Sequence, residues 1–186
     1  MRSEILFAGF GGQGVIKAAL LVTHAAGIYE DREVAQTQSY GPEARGGACR
    51  SEVIISDGAI DYVKTLDVDS FVVMSQPALD KYVDRADPEK TRIIADSTLI
   101  DRVPEGLKHV YPLEATRIAE EEFGRALFAN IIMLGALAAV TGTIKLASLE
   151  KSLEGNVPEK TLETNRAALA RGYAIGRELK EGGREQ

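Results

Sequence analysis

Two glycine-rich stretches hold the residue types and spacings that could do chemistry in this chain. The first, Gly9-Phe10-Gly11-Gly12-Gln13-Gly14, separates an apolar run, Glu4–Phe10, from a helical one, Gln13–Gly27. In that setting glycines let the backbone approach a phosphate and adopt positive φ, and the free N–H groups of the helix's first turn point at the anion. The second stretch, Gln36-Thr37-Gln38-Ser39-Tyr40-Gly41-Pro42-Glu43-Ala44-Arg45-Gly46-Gly47, sets a guanidinium against two glycines. Such a fork can meet a phosphate or carboxylate bidentately where the backbone comes close.

Each stretch has competing readings. The first suits a dinucleotide site, a turn that only packs a helix on a strand, or a contact with an anion, an acyl carrier or a neighbouring subunit. A dinucleotide site expects an acidic residue at the end of the second strand, about 20 residues on. Here Glu30, Asp31 and Glu33 precede the second apolar run, Val34–Gln38, and stand at its wrong end. For Arg45 the plain alternative is pairing with Glu43 or Glu52 in a tight turn. If the first two strands are parallel neighbours, both loops emerge at the carboxyl edge of the sheet, where open α/β sheets bind ligands.

Further polar residues fall at places that matter. Ser75 and Gln76 follow a predicted strand and lie on that same edge; helix capping is the simpler role for Ser75. Asn130 interrupts an uncharged helix and needs a partner, inside the core or across an interface. Lys17 lies one turn past the first glycine loop, within reach of an anion there, or is merely solvated. His24 and His109 are far apart in sequence and lack acidic neighbours in metal-ligand spacing, so both read as structural. Cys49, the only cysteine, reads as a small buried hydrophobe.

The elements that must position these residues follow from periodicity and breakers. Strands are expected at Glu4–Phe10, Val34–Gln38, Ala48–Ser56, Ser70–Met74 and Arg92–Ala95, with a last edge strand at Val110–Tyr111. Helices are expected over Gln13–Gly27, from Gln76-Pro77 to about Arg85, and over Glu114–Phe123. Three more follow: Ala126–Val140, Ala147–Leu153, and one from Pro158 to about Lys180 that presents Leu162, Asn165, Leu169, Gly172 and Gly176 on one face. The alternation predicts a single α/β domain over 1–186. It would be a three-layer α/β/α sandwich on a mostly parallel sheet, mixed if the Val34–Ser56 region adds an antiparallel member, with a helical C-terminal third. Helices apolar nearly all round, above all Gln13–Gly27, suggest cover by another subunit.

Composition narrows the classes. Acidic residues outnumber basic ones, 28 to 22, which argues against nucleic acid as a general partner. A single cysteine excludes an intramolecular disulfide and a protein-supplied iron–sulfur cluster. Residues Ala126 to Ile144 carry no charge, but Asn130, Thr141, Gly142 and Thr143 mark a core or interface helix rather than a membrane span. Without a leader-like start, a cytoplasmic location is expected.

Taken together, Gly9–Val15 (GFGGQGV), Gln38–Gly47 (QSYGPEARGG) and Ser51–Ser56 (SEVIIS) closely resemble the gamma subunit of the 2-oxoacid:ferredoxin oxidoreductases. The likeness continues through Asn130–Leu137 and Val157–Lys160 to Asn165, Ala168 and Gly172, nearly the whole chain. Within the family it looks most like the separate gamma chain of the 2-oxoglutarate enzymes. The resemblance implies a catalytic-domain III-like module in a multi-subunit enzyme that converts a 2-oxoacid to an acyl-CoA and passes electrons to ferredoxin. Thiamine diphosphate, Mg²⁺ and iron–sulfur clusters would lie on companion alpha and beta chains, with a delta chain where one exists. No Gly-Asp-Gly thiamine diphosphate motif is present; Asp57-Gly58 is a strand-end turn. This chain would complete the assembly and help form the site for CoA, a shared substrate, through Gly11, Gly12, Gln13, Gly14, Gly41, Arg45, Gly46 and Gly47. Gln38, Tyr40, Ser75, Gln76 and Asn130 would line an interface or cleft. The competing classes are a free-standing nucleotide-binding oxidoreductase and a purely structural scaffold.

Overall fold

The computed structural model describes residues 1–39 and 48–182. Tyr40, Gly41, Arg45, Gly46 and Gly47, named above as site residues, lie outside the described residues. Six strands, β1 (Arg2–Phe10), β2 (Glu33–Gln38), β3 (Ala48–Ser56), β4 (Ser70–Val73), β5 (Arg92–Asp96) and β6 (Val110–Leu113), form one sheet in the order β2-β3-β1-β4-β5-β6. β1, β4, β5 and β6 run parallel; β3 is antiparallel to both β1 and β2.

The order corrects one expectation. β1 and β2 are not neighbours, because β3 lies between them. The reason is visible in composition: β3 carries Val53-Ile54-Ile55 and is buried on both faces along nearly its whole length, whereas β2 is half-exposed throughout. The more apolar strand takes the inner position. Because β2 and β1 both oppose β3, they still point the same way, and the carboxyl ends of both strands, Gln38 and Phe10, lie at one edge of the sheet.

Six helices complete the chain: α1 (Val15–Tyr29), α2 (Gln76–Tyr82), α3 (Ala115–Phe123), α4 (Ala129–Thr141), α5 (Leu146–Leu153) and α6 (Leu162–Gly182). Single 3₁₀ turns follow α2 and precede α4 and α6. The two faces of the sheet are covered unequally. On one face, Ile5, Phe7, Val53, Ile55, Val72 and Ile94 pack beneath α1, α4 and their neighbours; on the other, Leu6, Phe71, Val73 and Ile93 meet mainly α2 through Ala78, Leu79 and Tyr82. Near β2 and β3 the second face is polar instead. There Glu52 pairs with Arg85 at 3.0 Å, and Glu4 accepts the Leu66 and Asp67 N–H groups.

Close helix contact explains the small residues of the C-terminal third. A Cβ on Gly135 would collide with the Leu169 carbonyl of α6, and one on Gly172 with the Ile132 carbonyl of α4. Every residue of Ala129–Val140 is thereby buried within this one chain. So α4 needs no other subunit to cover it, contrary to the reading from its all-round apolarity. α1 differs: its end leaves Ile28 64% and Tyr29 43% exposed. Among the described residues no helix is long and apolar enough to cross a membrane.

Candidate functional site

The glycine loop after β1 is held by one side chain. Gln13 Oε1 accepts the Phe10 N–H at 2.6 Å, and its Nε2 donates to the Met74 carbonyl at 2.8 Å, tying the loop to the end of β4. Both ends of the amide are thus engaged in the fold. Gly12 has φ 100° and Gly14, the residue before α1, φ 75°; these left-handed conformations are why glycine stands there. Among the described residues no side chain caps the start of α1, so its first-turn N–H groups have no side-chain acceptor there.

Against this start comes the start of α4. Asn130, 4% exposed, donates from Nδ2 to the Gly14 carbonyl at 3.2 Å, and a Cβ on Gly14 would strike that same nitrogen. Among the described residues Asn130 Oδ1 is buried with no hydrogen-bond partner. An orphaned acceptor of this kind costs about 1–3 kcal/mol unless something donates to it. Asn130 is also one of the residues lining a hollow of about 350 Å³ between α1, α4 and the α5–α6 connection. Leu127, Phe128, Ile131, Val157 and Pro158 give the hollow apolar walls, and Lys17, Arg125 and Lys160 bring three cations to it. None of these three makes a side-chain ion pair or hydrogen bond among the described residues, whereas Arg32, Arg85, Arg117, Arg166 and Arg171 each do. Two helix amino termini, of α1 and α4, add positive dipole ends to the same place. On a chain with net charge −6 this is a local positive site. It suits a phosphorylated ligand with an apolar portion.

A second, shallower cleft of about 420 Å³ lies on the other side of the loop, lined by Gly11, Gly12, Ile16, Lys17, Leu20 and Cys49. Burial pushes the Cys49 thiol above its ordinary range, which keeps it protonated.

The remaining candidates disperse. Gln38 ends β2 opposite Ser51. Gln76 accepts the Asp101 and Arg102 N–H groups at 3.1 Å and donates to Asp80, so it anchors the connection after β5. Ser75 precedes α2, but among the described residues its hydroxyl makes no capping bond and, fully buried, has no hydrogen-bond partner. Glu33 begins β2 opposite Ser56, at the end away from the glycine loop, and β3 separates β2 from β1. The acidic residue a dinucleotide site needs is therefore on the wrong edge. Among the described residues no group of three His, Cys, Asp or Glu is placed to hold a metal. Sequence reading missed Arg125, Asn156 and Lys160. The available signal was slight: Arg125 directly precedes the uncharged segment that starts at Ala126, and Lys160 closes the Val157–Lys160 stretch.

With its paired helix starts and glycine loop on a mixed sheet, the chain belongs to the pyruvate ferredoxin/flavodoxin oxidoreductase family, whose pattern matches residues 4–175. Its relatives make the class narrower. It is 45% identical over 181 residues to the 2-oxoglutarate synthase subunit KorC of Methanocaldococcus jannaschii, covering 96% of both chains. It is 32% identical to the pyruvate synthase subunit PorC of Methanothermobacter thermautotrophicus, covering 91% of this chain and 93% of that one. Among solved structures, the gamma subunit of a keto/oxoacid ferredoxin oxidoreductase from Geobacter sulfurreducens superposes with a TM-score of 0.85 at 36% identity, over 96% of this chain and 98% of that one. The 2-oxoglutarate:ferredoxin oxidoreductase of Magnetococcus marinus, solved with 2-oxoglutarate, coenzyme A and succinyl-CoA, shares the fold at TM-score 0.78 and 23% identity; this chain spans 31% of that longer one.

Proposed function

We propose that this chain is the gamma subunit of a 2-oxoglutarate:ferredoxin oxidoreductase, and that its share of the reaction is to hold CoA. The single observation that carries the CoA assignment is the hollow at the paired starts of α1 and α4, lined by Lys17, Arg125 and Lys160 among apolar side chains. CoA offers what that set lacks: phosphates for the cations and an extended arm for the apolar walls. Arg45, in the glycine-rich stretch of sequence after β2, is proposed as a further phosphate contact. The chemistry on the 2-oxoacid is assigned to companion alpha and beta chains that carry thiamine diphosphate, Mg²⁺ and the iron–sulfur clusters. One cysteine supplies one thiolate, and a cluster needs several.

The test is kinetic, on the assembled enzyme. Arg125→Ala and Lys17→Ala each remove a charge-assisted contact of about 1.5–3 kcal/mol, so each raises the apparent KM for CoA about 10- to 100-fold. The KM for 2-oxoglutarate stays within twofold. Arg45→Ala belongs to the same series. An unchanged KM for CoA in both the Arg125 and Lys17 variants rejects the assignment.

A further inference from the structure

His24 sits on the half-buried flank of α1, and its ring meets a side chain in the wall of the hollow. Asn156, in the α5–α6 connection, is one of the lining residues. Its Nδ2 is 3.0 Å from the Ser152 carbonyl oxygen and 2.9 Å from His24 Nδ1. A carbonyl oxygen only accepts, so Ser152 dictates which end of the amide is nitrogen. Both amide hydrogens are then committed, and His24 Nδ1 must accept the second. The imidazole is therefore neutral, with its proton on Nε2. Asn156 Oδ1 is left as the amide's remaining polar atom. The next residues in the chain, Val157, Pro158 and Lys160, supply both apolar wall and cation to the hollow.

We propose that His24, acting through Asn156, is a positioning residue for the CoA hollow: it fixes the α5–α6 connection against α1 at the distance the ligand requires. The proposal rests on the CoA reading. It also gives a function to a histidine whose sequence neighbourhood points only to packing.

In the assembled enzyme, His24→Leu removes the acceptor and raises the apparent KM for CoA about 3- to 10-fold, as expected for loss of one neutral hydrogen bond. The kcat and the KM for 2-oxoglutarate do not move. His24→Asn, whose Oδ1 offers an acceptor near the place of Nδ1, restores the wild-type value. Equal KM values in the Leu and Asn variants, or parallel shifts for both substrates, overturn the proposal. Arg125→Ala separates the two levels. If it raises the KM for CoA while His24→Leu does not, only the positioning role fails; if it leaves that KM unchanged, the CoA reading falls and this proposal with it. A second readout is independent of turnover. In the full chain labelled with ¹⁵N-histidine, with His109→Gln for assignment, the His24 ring at neutral pH is the Nε2–H tautomer. A proton found on Nδ1 overturns the argument.

Discussion

At the scale of single residues, the glycine loop owes its shape to Gln13 as much as to its glycines. The amide closes a ring onto Phe10 and reaches across to β4, so the loop keeps its form without a ligand. Gln13→Ala deletes two hydrogen bonds and is expected to lower unfolding free energy by about 1–3 kcal/mol, measured by urea denaturation. A loss below about 0.5 kcal/mol would mean the glycine conformations alone hold the loop. Much of this was legible in the sequence. The spacing of Gly9–Gly14 between strand and helix placed the loop correctly, and Asn130 stood out as a polar break in an uncharged run. Gln13's reach to Met74, by contrast, depends on β4 being next to β1, which no local pattern encodes. The meeting of Lys17 with Arg125 and Lys160 is likewise a product of tertiary packing, since both lie more than a hundred residues further along the chain.

At the scale of elements, the clearest case is the contact of α4 with α6. Gly172 and Gly135 bring two backbones together so closely that a single methyl group has nowhere to go. Gly172→Ala is expected to lower Tm by about 3–10 °C through overpacking against a rigid carbonyl, readable by circular dichroism. A gain in Tm, as Gly→Ala gives in an exposed helix, would contradict the packing. Periodicity located both helices and the face of α6 that carries Asn165, Leu169, Gly172 and Gly176. It did not show that α6 is what covers α4, which is why α4 seemed to call for another chain. Strand β3 matched its expected bounds, Ala48–Ser56, yet its place between β2 and β1 came from competition for the inner position, a non-local effect. α2 ended earlier than its sequence promised, tightening into a 3₁₀ turn at Val83–Arg85.

At the scale of the whole molecule, charge is distributed to one purpose. The chain carries a net charge of −6, yet three basic side chains without ion-pair partners among the described residues gather at one hollow. That hollow is built from the first third of the chain and two separate segments of its last third, so it exists only in the folded domain. Exposed Ile28 and Tyr29 mark the end of α1 as a place for a companion chain to cover. Isolation of the chain from its native cells under mild conditions is expected to bring larger companions carrying thiamine diphosphate, detected by mass and by cofactor assay. Recovery only as a free single chain would count against its role as a subunit.

The wedge between Gly14 and Asn130 has a consequence for how such a protein can change over time. Any side chain at position 14 must displace the amide at position 130, and losing that amide also removes the hydrogen bond that joins the two helix starts. The two positions cannot drift separately: the turn that starts one helix and the polar side chain wedged against it are inherited as a unit, or lost as one.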